Sequence, residues 1–276
     1  MIKKIFDFYL DASIHVALAI FSLVHVTALT LNINVPVELY FFIFFGSISC
    51  YNFVKFGVEA EKYILVTNTY HKNIQFFSFG CLLVASYQLF FLSERVFVGL
   101  LFLAGITGLY ALPVLPKHKN FRSFSGLKIL IVAAVWAGTT VVLPAISVLD
   151  EKISWNVKIE AVQRFLFVLI LLVPFEIRDL KYDSTALKTL PQRIGVKGTK
   201  MIGYGWSILF YAATFFKTDL DVTHVVVKTI LFLLLILMLF KTELSQKKYF
   251  SSFWVEAIPL FWWLLFVIST KYTISL

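Results

Sequence analysis

Apolar residues in this chain come in long runs rather than at intervals. Stretches such as VALAIFSLVHVTALTL, FLFVLILLV and FLLLILMLF are broken only by short polar clusters. A helix needs about 20 such residues to cross a hydrocarbon core about 30 Å thick. Nine segments approach that length, near residues 12–31, 37–56, 73–92, 96–115, 127–148, 159–177, 201–216, 222–240 and 251–270. None alternates apolar and polar residues in the manner of a membrane β-strand. The pattern predicts an all-α, polytopic membrane bundle of about nine transmembrane helices. No linker or repeat divides it, so residues 1–276 are expected to form a single domain.

Composition strengthens that reading, since 59% of the residues are hydrophobic and only 15% charged, against roughly 25% charged in soluble domains. The net charge of +9 is distributed rather than clustered. With nine spans and a cytoplasmic N-terminus, 18 of the 25 Lys and Arg residues fall on the cytoplasmic side, as the positive-inside rule requires. The charge therefore reports membrane orientation, with the C-terminus outside an inner (plasma) membrane, and not nucleic-acid binding. The MIKKIF start resembles a signal sequence, but the run after it is of full span length with no small-residue cleavage site, which predicts a retained first span. Cys50 and Cys81 fall within spans and read as packing residues. The five histidines have no ligand spacing. Gly105 with Gly108, and Ala133, Ala134 and Ala137 with Gly138, read as sites of close helix packing.

One polar stretch stands apart. PFEIRDLKYDSTALKTLP, residues 174–191, places Glu176, Asp179 and Asp183 at i, i+3 and i+7, which is one face of a helix that continues past Pro174. Two carboxylates about 6 Å apart repel by about 3 kcal/mol at an effective dielectric near 20. Either Mg²⁺ or neighbouring Arg and Lys side chains must answer that charge. A solvated loop neutralised by Arg178, Lys181 and Lys188 satisfies the same requirement.

At these residues the sequence resembles the UbiA superfamily of intramembrane prenyltransferases. Glu176, Arg178, Asp179 and Asp183, followed by Lys188, Thr189, Leu190 and Pro191 and then Gly195, are similar to the family's second acidic motif. LYALPVLPKHK, with Tyr110, Pro113, Lys117 and Lys119, resembles its tyrosine-and-proline segment before a basic loop. The resemblance implies a lipid-open cavity in which metal ions hold an isoprenoid diphosphate for transfer to an apolar or aromatic acceptor. Transferred to this chain, it makes Asp179 and Asp183 catalytic, and Glu176, Asp179 and Asp183 ligands of Mg²⁺. It makes Asn52, Lys55, Tyr110, Lys117, Lys119, Arg178 and Lys188 substrate-binding.

The family's first acidic motif is degenerate here. Its best match, NFVKFGVEA, keeps Asn52 but carries Phe53, Phe56 and Ala60 at the acidic positions and adds Lys55. Two readings follow. The chain is a transferase in which Lys55 contacts the diphosphate, or it is a non-catalytic protein that binds a lipid or partner, its site closed by an ion pair from Lys55 to Glu176, Asp179 or Asp183. A transporter has less support, because no duplicated half is visible. Cysteines introduced singly at Lys119 and Lys152 are expected to react with impermeant reagents from opposite sides of the membrane. Labelling of both from one side would overturn the orientation.

Overall fold

The computed structural model describes residues 2–58, 68–111, 126–149 and 153–273, and these are helical apart from turns and short connections. The chain opens with a short helix α1 (Ile2–Asp11), then α2 (Ile14–Leu31), α3 (Val37–Asn52), α4 (Thr69–Gln88) and α5 (Glu94–Ala111). α6 (Leu127–Ala137) continues through a π-helical turn, Gly138–Val142, into α7 (Leu143–Val148). α8 (Trp155–Asp179), α9 (Leu190–Ala212), α10 (Val222–Lys241) and α11 (Ile258–Thr273) complete the bundle.

The nine expected segments are helical over nearly all their described residues. Six stretches among the described residues are long and apolar enough to cross a membrane, namely Ile14–Leu31, Val37–Phe56, Thr69–Phe91, Leu127–Val148, Val222–Lys241 and Phe250–Ser269. That measure gives fewer crossings than nine. α8 carries Glu160, Arg164 and Glu176, and α9 carries Arg193, Lys197 and Lys200. Such helices are held by neighbours that satisfy their charges and not by lipid alone.

α8 is the axis of the core. Phe167, Val168, Leu169, Ile170, Leu171 and Val173 are buried almost all the way round it, against residues of α2, α6, α9, α10 and α11. Close approach is provided where small residues meet large ones: a Cβ on Gly138 would lie 2.6 Å from Leu103 Cδ2, and one on Gly99 2.8 Å from Leu143 Cδ2. Ala133 and Ala137 are buried as expected of packing residues. Among the described residues, Gly105 and Gly108 have no neighbour within 4 Å of a Cβ position. The expectation of close packing there is corrected, because the Leu103 and Gly99 side of α5, and not that glycine pair, meets the α6–α7 helix.

The first third of α8 carries a dry charge cluster. Glu160 Oε1 accepts from Arg164 Nη2 at 3.2 Å, and Glu160 Oε2 from Lys217 Nζ at 2.6 Å, with Lys228 Nζ 3.8 Å away. Arg164 also donates to Leu23 O, Thr27 Oγ1 and Thr140 Oγ1, tying α8 to α2 and to the π turn. Lys228 Nζ and Arg164 Cζ stand 4.1 and 4.9 Å from the ring centre of buried Trp262, a favourable use of the ring's negative face. Removing the single carboxylate strands three cations, whereas removing Lys228 relieves a repulsion. Glu160→Gln is therefore expected to cost about 3–5 kcal/mol and Lys228→Met much less, read as thermal denaturation in detergent. Equal loss from both would refute this ordering.

Candidate active site

A cavity of about 620 Å³ lies between α2, α3, α5, α6 and α8, within the roughly 300–1,000 Å³ usual for small-molecule sites. Its body is apolar and aromatic, with Phe42, Phe97, Trp136, Leu171 and Phe175 in its walls. In the wall, Trp136 Nε1 donates to Tyr51 Oη at 2.6 Å. Its polar end is built where helices start and stop at one end of the bundle. Lys55 follows α3, Lys128 opens α6, Glu176, Arg178 and Asp179 close α8, and Glu256 precedes α11. Three basic side chains thus face three acidic ones.

Each π-helical segment of the fold contributes to this lining. Phe53–Val58 supplies Val54 and Lys55, Gly138–Val142 supplies Thr139, and Phe250–Val255 supplies Val255 and leads into Glu256. Wider turns of this kind re-aim side chains that a regular helix would direct elsewhere.

The acidic stretch is only partly helical. α8 runs through Pro174 to Asp179, and Asp183 lies beyond it in a turn whose N–H donates to Asp179 O at 2.8 Å. Gln192 secures that turn, accepting from Thr189 N–H at 2.9 Å and donating to Ser184 O at 3.0 Å. Gly195, at φ 72° and ψ 171°, interrupts α9 just after this anchor in a conformation that favours glycine.

The three carboxylates take separate partners. Lys128 Nζ lies 3.1 Å from Glu176 Oε1, with the glutamate side chain 6% exposed. Arg178 Nε donates to Asp179 Oδ1 at 2.7 Å. Asp183 lines a second, small cavity of about 40 Å³ together with Lys128, Glu176 and Thr189, and its buried Oδ2 has no hydrogen-bond partner among the described residues.

Several expected roles change. Lys55 does line the cavity, but the carboxylate it meets is Asp11, at 3.7 Å, and it donates to Asp11 O at 3.2 Å. The closing ion pair from Lys55 to Glu176, Asp179 or Asp183 is thereby corrected: Lys128 is the lysine at Glu176. Asn52 is a buried clamp and not a cavity residue. Its amide donates to Ala12 O and Ser78 Oγ at 2.9 and 2.8 Å and its oxygen accepts from Ser13 Oγ at 2.7 Å. Lys188 is exposed in the turn before α9, with φ 46°, and lines neither cavity. Tyr110 ends α5, its side chain outside the described residues, as are Lys117 and Lys119. Cys81 is buried, whereas Cys50 lines the cavity. His15 and His25 serve as latches, to Phe253 O at 3.0 Å and from Trp263 Nε1 at 2.6 Å.

Lys128, Glu256 and Asp11 were not singled out from sequence. Glu256 was detectable as a lone acid within an apolar run, a position where ionisable residues mark function. Lys128 carried no such signal, since a lysine at the start of a span is ordinary topology.

No family model and no curated protein matches the sequence. Among solved structures, a UbiA homolog from Archaeoglobus fulgidus bound to GPP and Mg²⁺ superposes with a TM-score of 0.61 at 12% identity, over 95% of this chain and 99% of that one. A digeranylgeranylglyceryl phosphate synthase in membranes gives 0.58 at 13% identity, over 96% and 98%. The chain has the UbiA fold.

A structure of that Archaeoglobus homolog also holds Cd²⁺, so the donors of this UbiA fold must be tested for a metal. Among the described residues no three His, Cys, Asp or Glu side chains gather to hold one. Glu176 and Asp179 are each engaged by a cation, and Asp183 faces the smaller cavity. Mg²⁺ demands near-octahedral oxygen geometry, and it would have to share these carboxylates with the cations already on Glu176 Oε1 and Asp179 Oδ1. The expected Mg²⁺ set of Glu176, Asp179 and Asp183 does not fit this arrangement.

If Asn52 is a clamp, Asn52→Ala should lower stability by about 1–3 kcal/mol, through buried partners left unpaired, while a folded sample keeps its cavity. Loss of ligand binding without loss of stability, measured by thermal melting beside a binding isotherm, would restore Asn52 to the site.

Proposed function

We propose that this protein is a membrane prenyltransferase that takes an isoprenoid diphosphate and passes its chain to an apolar or aromatic acceptor. The cavity carries this reading: a long apolar and aromatic body for the hydrocarbon ends in a charged mouth suited to the head group. The likeness to a UbiA homolog bound to GPP supports the choice of donor. The protein acts as one domain with its N-terminus in the cytoplasm, the orientation its Lys and Arg distribution favours.

In the reaction the allylic C–O bond breaks and its electron pair leaves with the diphosphate, held at the basic side chains of the mouth. Aromatic faces such as Phe175 and Trp136 stabilise the allylic cation. An electron pair of the acceptor closes the new bond. Asp179, oriented by Arg178, receives the proton that the acceptor releases. Asp183 acts from the smaller cavity, through the field it imposes on Lys128 and Glu176.

A second reading, a binding protein for the same lipid class, is favoured by the cations already seated on Glu176 and Asp179. Lipid profiles of a strain lacking the gene, beside strains complemented with wild type and with Asp179→Asn, decide between them. A prenylated lipid should vanish in the deletion and return with wild type, and Asp179→Asn should restore about 10²-fold less or lower still, as for loss of a general base. An unchanged profile would favour the binding protein.

A further inference from the structure

We infer that Lys128, seated on Glu176, stands where a divalent ion would otherwise be required, and that the cavity binds its diphosphate without a metal. The inference rests on the isoprenoid-diphosphate reading above. Three observations carry it. Lys128 Nζ is 3.1 Å from a carboxylate that is almost fully buried. The lysine borders both the large cavity, beside Arg178 and Asp179, and the small one, beside Asp183. Among the described residues no three His, Cys, Asp or Glu side chains gather to hold a metal ion.

Charge explains why these features belong together. Glu176, Asp179 and Asp183 create a negative field that a bare diphosphate could not approach, and something cationic must lie between them. A covalently tethered ammonium meets that need at every moment, without the geometry or dehydration that Mg²⁺ demands. Glu176 then becomes the group that holds the ammonium in place. Arg178 adds a planar fork suited to phosphate oxygens, and Lys55 lies on the same end of the cavity. Lys128 also sits in the first turn of α6, where the helix dipole adds positive potential.

The two metal hypotheses assign opposite signs to one substitution. If Glu176 is a metal ligand, Glu176→Gln weakens binding. If Glu176 is the counter-ion of Lys128, removing its charge frees the ammonium and tightens binding. The full-length protein in phosphatidylcholine nanodiscs, which offer no anionic head group, is titrated with labelled geranyl diphosphate in EDTA and in Mg²⁺. Binding is expected to agree within about twofold between the two conditions. It should weaken about tenfold or more in Lys128→Gln, as for loss of a charge-assisted hydrogen bond, be largely kept in Lys128→Arg, and tighten in Glu176→Gln. Binding that disappears in EDTA and returns with Mg²⁺ overturns the inference and leaves the isoprenoid-diphosphate reading intact. Metal-independent binding indifferent to Lys128→Gln and weakened by Glu176→Gln overturns the role of Lys128. No binding in either condition overturns the diphosphate reading and this inference with it.

Discussion

The buried carboxylate of Glu160, shared by Arg164, Lys217 and Lys228, is the constraint around which much of the bundle is arranged. An isolated charge in such surroundings is prohibitive, so every element near α8 must offer it something. α2 offers a backbone carbonyl and a threonine, the π turn after α6 another threonine, and α11 the face of Trp262. Satisfying Arg164 thereby fixes α8 against its neighbours, because hydrogen bonds impose direction that apolar contact in lipid does not.

The other end of α8, 16 residues and about 24 Å further on, is arranged differently. There the charges face a cavity and not a packed core. Basic and acidic side chains are equal in number there, and several are already paired. A ligand anion can then be received by a modest rearrangement of existing pairs. The contrast explains how one helix serves as both structural pillar and site wall.

The helices were legible because apolar run length is a strong signal in a chain of this composition. The site was legible only in outline. PFEIRDLKYD identified the end of α8 correctly, yet spacing alone placed Asp183 on a helix that stops at Asp179. Lys55 and Lys128 both begin or end spans and look alike in sequence. Which of them meets Glu176 depends on the rotation of α3 after its π turn, a tertiary fact. Asn52 was ambiguous for a related reason, since a polar residue near a site and one pinning a helix junction have the same one-letter code. Gly105 and Gly108 show the limit of small-residue patterns, because a face needs a facing helix before closeness means anything.

The short helix α1 is strapped down beside the polar end of the cavity, through Lys55. Asp11 meets Lys55 and accepts from Tyr70 Oη at 3.0 Å, while Asp7 accepts from Lys248 and Tyr249 at 2.9 and 2.8 Å. The Lys248 ammonium keeps the Asp7 carboxyl below its ordinary range. Lys55 belongs to both the strap and the cavity. Any anion that draws it inward does so at the expense of Asp11, and by reciprocity a well-seated strap opposes that anion. Lys55 is thus the side chain through which a ligand in the cavity would be felt at α1, on the outer surface of the bundle.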